Sequence, residues 1–255
     1  MYSTWSFFGF VECYNKIIYG RKHELLLYRT LNNKNTIFST DPTKFEAKLM
    51  ITKLQWLIPK IIPSSEMQNK LMNMFESKKL YYMPFISREL EDYTINVASR
   101  DFTWKLGTKY NKIKYFIIGF QCDRENNYLN ASRFDSCDLE EIFIELNSER
   151  YPYECLKCNF KNFNVVQQYN FAKEFKNSYY ETTKDCIFLD EDAYYYYYPL
   201  FVFDVSKQND RIINSRPDVT IRATFSKSIK VNTRCYCLIL SDRMVEIKDN
   251  RVKVI

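Results

Sequence analysis

Apolar and polar positions alternate most regularly in the stretch 199–245. Within 219–225, Val219, Ile221, Ala223 and Phe225 are interleaved with Thr220, Arg222 and Thr224, the two-residue period of a strand with one buried and one wet face. The β-rich runs 200–205 and 235–240 flank it, and segments rich in Lys, Asn, Ser and Pro separate the three. They predict a sheet wall around which the rest of the chain is arranged.

Taken in order, the chain opens with helical spacing at Val11, Tyr14 and Ile18, which predicts a short helix over 10–19 stopped by Gly20. A strand over 23–30 follows, ended by the turn residues Asn32 to Asn35, and 36–39 is expected to pair back on it as a hairpin. Residues 45–58 read as a long strand whose phase switches. Phe45, Ala47, Leu49 and Ile51 share one face and Leu54, Trp56 and Ile58 the other, so a bulge is expected near Thr52 or Lys53. Ser65 and Gln68 have capping-box spacing, and Met67, Leu71, Met74 and Phe75 form a helical stripe read as core packing. Strands are then predicted at 80–87, 93–98 and 101–107, the last with Phe102, Trp104 and Leu106 on one face. The almost unbroken apolar run 115–121 reads as a strand covered on both sides.

The polar stretch 123–138 is expected to be an exposed insertion. A strand over 139–147 sets Ile142, Ile144 and Leu146 against Glu141, Phe143 and Glu145, whose carboxylates fall on the wet face as solvated surface. A strand at 160–166 and a helix at 169–180, with Phe171, Phe175 and Tyr179 at steps of four, complete the series. The acidic segment 185–192 and the run Tyr194 to Tyr198 fit either a recognition patch or a low-complexity loop. Ten or so strands with two or three short helices, never alternating regularly, predict an all-β class: an antiparallel jelly roll or another β-sandwich.

Composition narrows the chemistry. Across 255 residues there are 4 glycines and 1 histidine, His23. No phosphate-cradling glycine loop can be built from them, and no site of two or more imidazoles. The 8 cysteines are expected to be free thiols. Cys155 and Cys158 are half of a zinc motif, but Cys235 and Cys237 are spaced as strand neighbours facing one side and do not complete it. No residue is assigned a catalytic, cofactor-binding or metal role. The net charge of +6 is mildly basic and predicts at most non-specific contact with nucleic acid. No run approaches the length of a membrane span and 5–11 is too short for a signal peptide, so a soluble, unsecreted product without membrane partners is expected.

The segments ITKLQWLIPKIIPSSE (51–66), YFIIGFQCDRENN (115–127), FDSCDLEEIFIELNSERYPYE (134–154) and PLFVFDVSKQNDRI (199–212) with DVTIRATFS (218–226) occur in that order. Together they resemble the double jelly roll capsid proteins of Polinton (Maverick) elements and adintoviruses. The opening GFVECYNKIIYGRKHELLLYRT (9–30) resembles the tail of the first roll in such proteins. The resemblance implies a division into 1–40, the end of a first jelly roll, and 41–255, a second one. It further implies a structural, non-enzymatic protein without cofactors, acting through subunit interfaces. Homotrimeric capsomers and other capsid proteins are the implied partners, once a first roll is supplied. The virion is the implied location, or the cytoplasm or nucleus of a host cell for a genomic copy. Since 1–40 matches only the end of a first roll, a fragment or a shortened genomic copy is expected. The alternative is a β-sandwich that binds nucleic acid or carbohydrate, for which Tyr115, Arg222 and Arg234 are the candidate contacts.

Overall fold

The computed structural model describes residues 9–13, 18, 22–29, 34–41, 47–58, 60–76, 80–107, 111–124, 128–155, 157–181, 189–208, 216–248 and 251–255. Nine strands lie among them: β1 (Tyr81–Ile95), β2 (Asp101–Leu106), β3 (Ile113–Gln121), β4 (Leu139–Leu146), β5 (Glu149–Tyr151), β6 (Phe201–Asp204), β7 (Val219–Phe225), β8 (Thr233–Lys248) and β9 (Arg251–Val254). The helices are α1 (Gly9–Glu12), α2 (Ser65–Glu76), α3 (Val166–Tyr180) and α4 (Glu191–Tyr196).

The strands make two antiparallel sheets. Sheet one has the order β1-β8-β3-β6, with β9 pairing on β8, and sheet two has the order β2-β7-β4-β5. Four of the pairings are β1 with β8, β2 with β7, β3 with β6 and β4 with β5. That is the pattern of one long antiparallel ribbon folded at the β4–β5 turn and rolled, so that successive strand pairs fall in opposite sheets: a jelly roll.

Alternation decides which side chains enter between the sheets. Phe102, Trp104 and Leu106 of β2 point inward, as do Val219, Ile221, Ala223 and Phe225 of β7 and Ile142, Ile144 and Leu146 of β4. From sheet one come Phe116, Ile118, Phe120, Cys235, Cys237 and Ile239, all fully buried. Aromatic rings join the two layers edge to face. The centroid of Phe120 lies 5.4 Å from that of Phe225, 6.1 Å from Phe102 and 6.4 Å from Phe201.

The outer face of sheet one is covered. Tyr115 on β3 is buried beneath α3, with Phe175 and Tyr179 at centroid distances of 5.2 Å and 6.3 Å and its hydroxyl 2.7 Å from Ser178 Oγ. Farther along β3, Gly119 leaves room for the ring of Phe134. A Cβ at that position would stand 2.5 Å from Phe134 Cδ1 and 2.9 Å from Leu200 Cδ2.

Several predicted elements take another form. The strands expected at 80–87 and 93–98 are one strand, β1, because its ladder with β8 runs unbroken from Tyr81 opposite Ile247 to Ile95 opposite Thr233. Backbone pairing carries the strand through the polar stretch Arg88 to Asp92, where alternation had faded. Residues 23–29, 36–39 and 47–58 form no strand, and the bulge expected near Thr52 is absent with them. Their alternation suits a pleated, half-buried surface, but no strand among the described residues supplies the ladder. At 160–166 the chain makes a 3-10 turn, Phe160–Asn162, in which the Asn159 side chain accepts from Asn162 N. Helix α3 starts at Val166, ahead of the expected 169. Helix α1 ends at Glu12, and residues 14–17, 19 and 20 of the expected helix lie outside the described ones. The first turn of α2 is capped by Ser64, whose Oγ is 3.4 Å from Met67 N, one residue before the expected Ser65.

Two loops expected to be open are packed. Within 123–138, Asp135 N donates to Phe120 O at 2.8 Å, and the Gln121 amide donates to Ala131 O and Arg133 O, both at 2.8 Å. The segment is a flap bound to the end of β3, and Tyr128 within it is buried. The tyrosine run is neither a patch nor a loop at its start. Asp190 caps α4 by accepting from Ala193 N at 2.6 Å, which sends Tyr194 fully into the core. Burial pushes the Tyr194 hydroxyl well above its ordinary pKa. Tyr195 stacks on Phe163 at 4.2 Å and bonds to Phe160 O.

Candidate assembly surface

The two outer faces differ in what they offer a partner. On sheet two, alternation places Arg222, Glu141, Phe143, Glu145 and Arg150 outside, and the charged ones pair with one another. Arg222 Nε lies 2.8 Å from Glu145 Oε2, Arg150 binds Glu141, and the Arg150 guanidinium sits 3.9 Å from the Phe143 ring. Both carboxylates therefore lie on the wet face, each committed to an arginine. Burial raises the Glu141 carboxyl, but hydrogen bonds from Arg150 and Cys155 and the charges of Arg150 and Lys157 outweigh it and hold the pKa below the usual carboxylate value. A carboxylate so depressed stabilises the fold above its unfolded pKa of about 4.3, and the contribution is lost as pH falls through the folded value. Glu141→Gln is thus expected to lower the melting temperature at pH 7 by roughly 1–4 °C, the screened worth of such a pair. The difference from the unmutated protein should close near pH 2.5. A difference that persists there undiminished would show that the contribution is not ionic.

The candidate nucleic-acid contacts are not brought together. Tyr115 and Arg234 belong to the outer face of sheet one and Arg222 to the outer face of sheet two, with the whole sandwich between them. Tyr115 is buried, Arg222 is paired with Glu145, and Arg234 Nη1 stands 3.7 Å from Asp92 Oδ2. A shallow cavity of about 710 Å³ does open beside Arg234, lined also by Asn35, Arg124, Phe134 and Tyr236. Its other arginine, Arg124, is held by Asp135, with Nε to Oδ2 at 3.2 Å. No stacking platform beside unpaired cations is formed among these residues.

His23 is exposed, Cys155 is exposed and Cys158 is buried with its thiol 3.3 Å from Leu139 O. Cys235 and Cys237 face the core together, as strand neighbours do. Among the described residues no group of three or more His, Cys, Asp or Glu side chains is arranged to hold a metal ion, and no helix is long and apolar enough to cross a membrane.

Exposed apolar residues are densest ahead of the roll. Along 22–76, Leu26 is 65% exposed, Tyr28 91%, Leu57 87% and Ile62 85%. On α2, Met67 and Met74 of the stripe read as core packing are exposed and Leu71 is half-buried, with the Phe75 side chain outside the described ones; Met72 beside them is exposed too. Single exposed apolar residues are ordinary, but this density is the mark of an interface. The segment is tied to the roll at a few points. Ser39 N donates to Tyr128 O of the flap at 3.0 Å and Lys34 Nζ lies 5.5 Å from the centroid of the Tyr128 ring, while Arg29 donates to Leu49 O at 2.7 Å within the segment itself.

The N-terminal helix is bound more firmly. Sheet one outgrows sheet two, and at the free end of the β1–β8 ribbon a second small core forms from Met83, Val245 and Ile247, with Phe10 and Phe85 packed on it. Arg88 binds Glu12 and lies 3.1 Å from the Tyr179 hydroxyl, joining α1, β1 and α3. Gly9 makes the close approach possible, since a Cβ there would fall on the Ile86 carbonyl.

The profile of the double jelly roll-like domain family matches residues 4–245. The chain belongs to the double jelly roll-like domain family. Among solved structures it is similar to a chain of PBCV-1 VP54 fitted into a cryo-EM reconstruction of the virophage Sputnik, at 10% identity and a TM-score of 0.43, covering 75% of this chain and 54% of that one. It is also similar to a chain of the Sputnik virophage, at 9% identity and a TM-score of 0.41, covering 69% of this chain and 39% of that one. This double jelly roll-like chain thus spans about half, or less, of the chains it matches. No curated protein matches it. The family match takes in both the rolled strands, β1 to β8, and the apolar segment ahead of them.

Proposed function

We infer that this double jelly roll-like chain is a structural, capsid-type subunit that works through its interfaces and catalyses nothing. The observation that carries this reading is the apolar surface along 22–76, which the roll does not cover, on a chain of this family. In the resulting arrangement, 1–40 is the end of a first jelly roll and 41–255 belongs to a second, and the exposed residues meet a neighbouring roll. Trimeric capsomers, with other capsid proteins as neighbours, are the partners that the resemblance to Polinton and adintovirus proteins implies. Contact with nucleic acid is limited to what a net charge of +6 provides, and no membrane partner is involved. The virion is the place of action, or the host cytoplasm or nucleus for a genomic copy.

Light scattering on the purified protein across a concentration series tests the reading. Trimers or larger assemblies are expected as concentration rises. A strict monomer at the highest concentration reached would refute the proposed role.

A further inference from the structure

Two cysteines that take no part in the proposed interface stand against each other at one end of the sandwich. Cys122 follows the last residue of β3, and Cys137 lies in the turn that leads into β4, next to Asp138, both of these turn residues in the left-handed region (φ 52° and 53°). Their sulfurs are 3.5 Å apart, and Thr233 Oγ1, at the start of β8, is 3.3 Å from Cys122 Sγ. The chain beside each of them is tied down. Cys122 N donates to Asp135 Oδ2 at 2.8 Å, Asp135 N donates to Phe120 O at 2.8 Å, and Arg124 clamps the same carboxylate. Both thiols are half-buried at the rim, whereas Cys235 and Cys237 lie fully inside.

We propose that Cys122 and Cys137 are a reversible dithiol clip, closed to a disulfide by a low-molecular-weight disulfide, that locks residues 128–136 of the flap to the end of β3. The pair needs little movement. The sulfurs must close from 3.5 Å to a bond of about 2.05 Å, within the reach of side-chain rotation at two half-exposed positions. The order of attack follows from the hydrogen bond between them. The bond to Cys137, against the opposing effect of burial and with help from Thr233, lowers the Cys122 pKa, while the same bond and burial raise that of Cys137. Cys122 is therefore the nucleophile and Cys137 the resolving group.

In the first step the Cys122 thiolate attacks one sulfur of the small disulfide. A Cys122–S bond forms, the reagent's S–S bond breaks, and one small thiolate leaves and takes a proton. In the second, Cys137 gives up its proton and attacks Cys122 Sγ, expelling the other half as a second small thiol. Two protein thiols are oxidised and one disulfide is reduced to two thiols, with no other oxidant consumed. The flap so closed carries Phe134, which covers Gly119 on the outer face of sheet one, so the clip fixes part of that cover in place.

The test uses the full chain equilibrated with graded ratios of oxidised to reduced glutathione, quenched in acid, alkylated and mapped by peptide mass spectrometry. The expected result is a linked pair of peptides containing Cys122 and Cys137, lighter by two hydrogens than the reduced pair, while the exposed Cys155 carries only a mixed disulfide. Cys137→Ser should trap glutathione on Cys122, and Cys122→Ser should leave Cys137 alkylatable. Oxidation should raise the melting temperature of the unmutated protein by roughly 5–10 °C and leave that of Cys122→Ser unchanged. Persistence of the mixed disulfide on Cys122, free alkylation of both thiols where Cys155 is modified, or a linked form that melts no higher would each overturn the proposal. None of these outcomes depends on the oligomeric state.

Discussion

Phe120→Ala is expected to cost about 3–5 kcal/mol of folding stability, the range for deleting a large buried aromatic side chain. Phe120 is fully buried, and its ring meets Phe225 and Phe102 from sheet two as well as Phe201 from its own sheet. Removing it empties space between the layers that its neighbours cannot easily move to fill, because Phe102, Phe201 and Phe225 are each anchored on a strand with its own ladder or at its end. Urea denaturation at matched slopes measures the loss. Phe120→Leu, which keeps most of the volume, should recover the larger part of it. A loss below about 1 kcal/mol for the alanine variant would mean that the sheets are not held together at this contact.

The second large effect concerns association. Leu57→Glu combined with Ile62→Glu is expected to weaken self-assembly at least about 100-fold, since two charges would have to be desolvated in an apolar interface. The roll itself should be unaffected, within about 0.5 kcal/mol, because these side chains are 87% and 85% exposed in the single chain. Sedimentation velocity on both proteins, with melting curves as the control, separates the two quantities. Unchanged assembly in the double variant would remove 22–76 from the interface even if the protein is oligomeric.

The wall at 200–205, 219–225 and 235–240 was legible from residue order because strict alternation has one physical reading, a strand with one face buried. Its three runs appear as β6, β7 and the first half of β8, with Phe201, Phe203, Val219, Ile221 and Phe225 all buried, but they are not one wall, since β7 belongs to sheet two and β6 and β8 to sheet one. The same signal misled at 23–29 and 47–58, since alternation measures fitness for a sheet and says nothing of whether a neighbouring strand is present. It also failed in the other direction at Arg88 to Asp92, where fifteen paired positions with β8 hold a strand together without a hydrophobic pattern. The tyrosine run shows a third case. Five identical residues carry no period, so only the cap at Asp190 and the rotation of α4 decide that Tyr194 is core while Tyr196 is 57% exposed.

The candidate surface was less legible than the fold. Its apolar residues read as core from composition, and a core residue and an interface residue have the same chemistry. The Cys122 and Cys137 pair left no signal either, because fifteen positions separate the two and only the flap's bonds to Phe120 and Cys122 bring them together.

By itself, then, the order of residues determined the class, an antiparallel β-sandwich, the inward faces of its most regular strands, that no site of two imidazoles and no phosphate-cradling glycine loop can be built from its residues, and, through its ordered segments, the resemblance to double jelly roll proteins. These are local properties, set by side-chain periodicity and by which residue types exist at all. Only the tertiary structure decided the pairing of β1 with β8 and β3 with β6, the opposite faces of Tyr115 and Arg222, the exposure of 22–76 and the meeting of the two thiols. Each depends on contacts between residues far apart in the chain, whose free energy comes from burial and backbone pairing that no single segment contains.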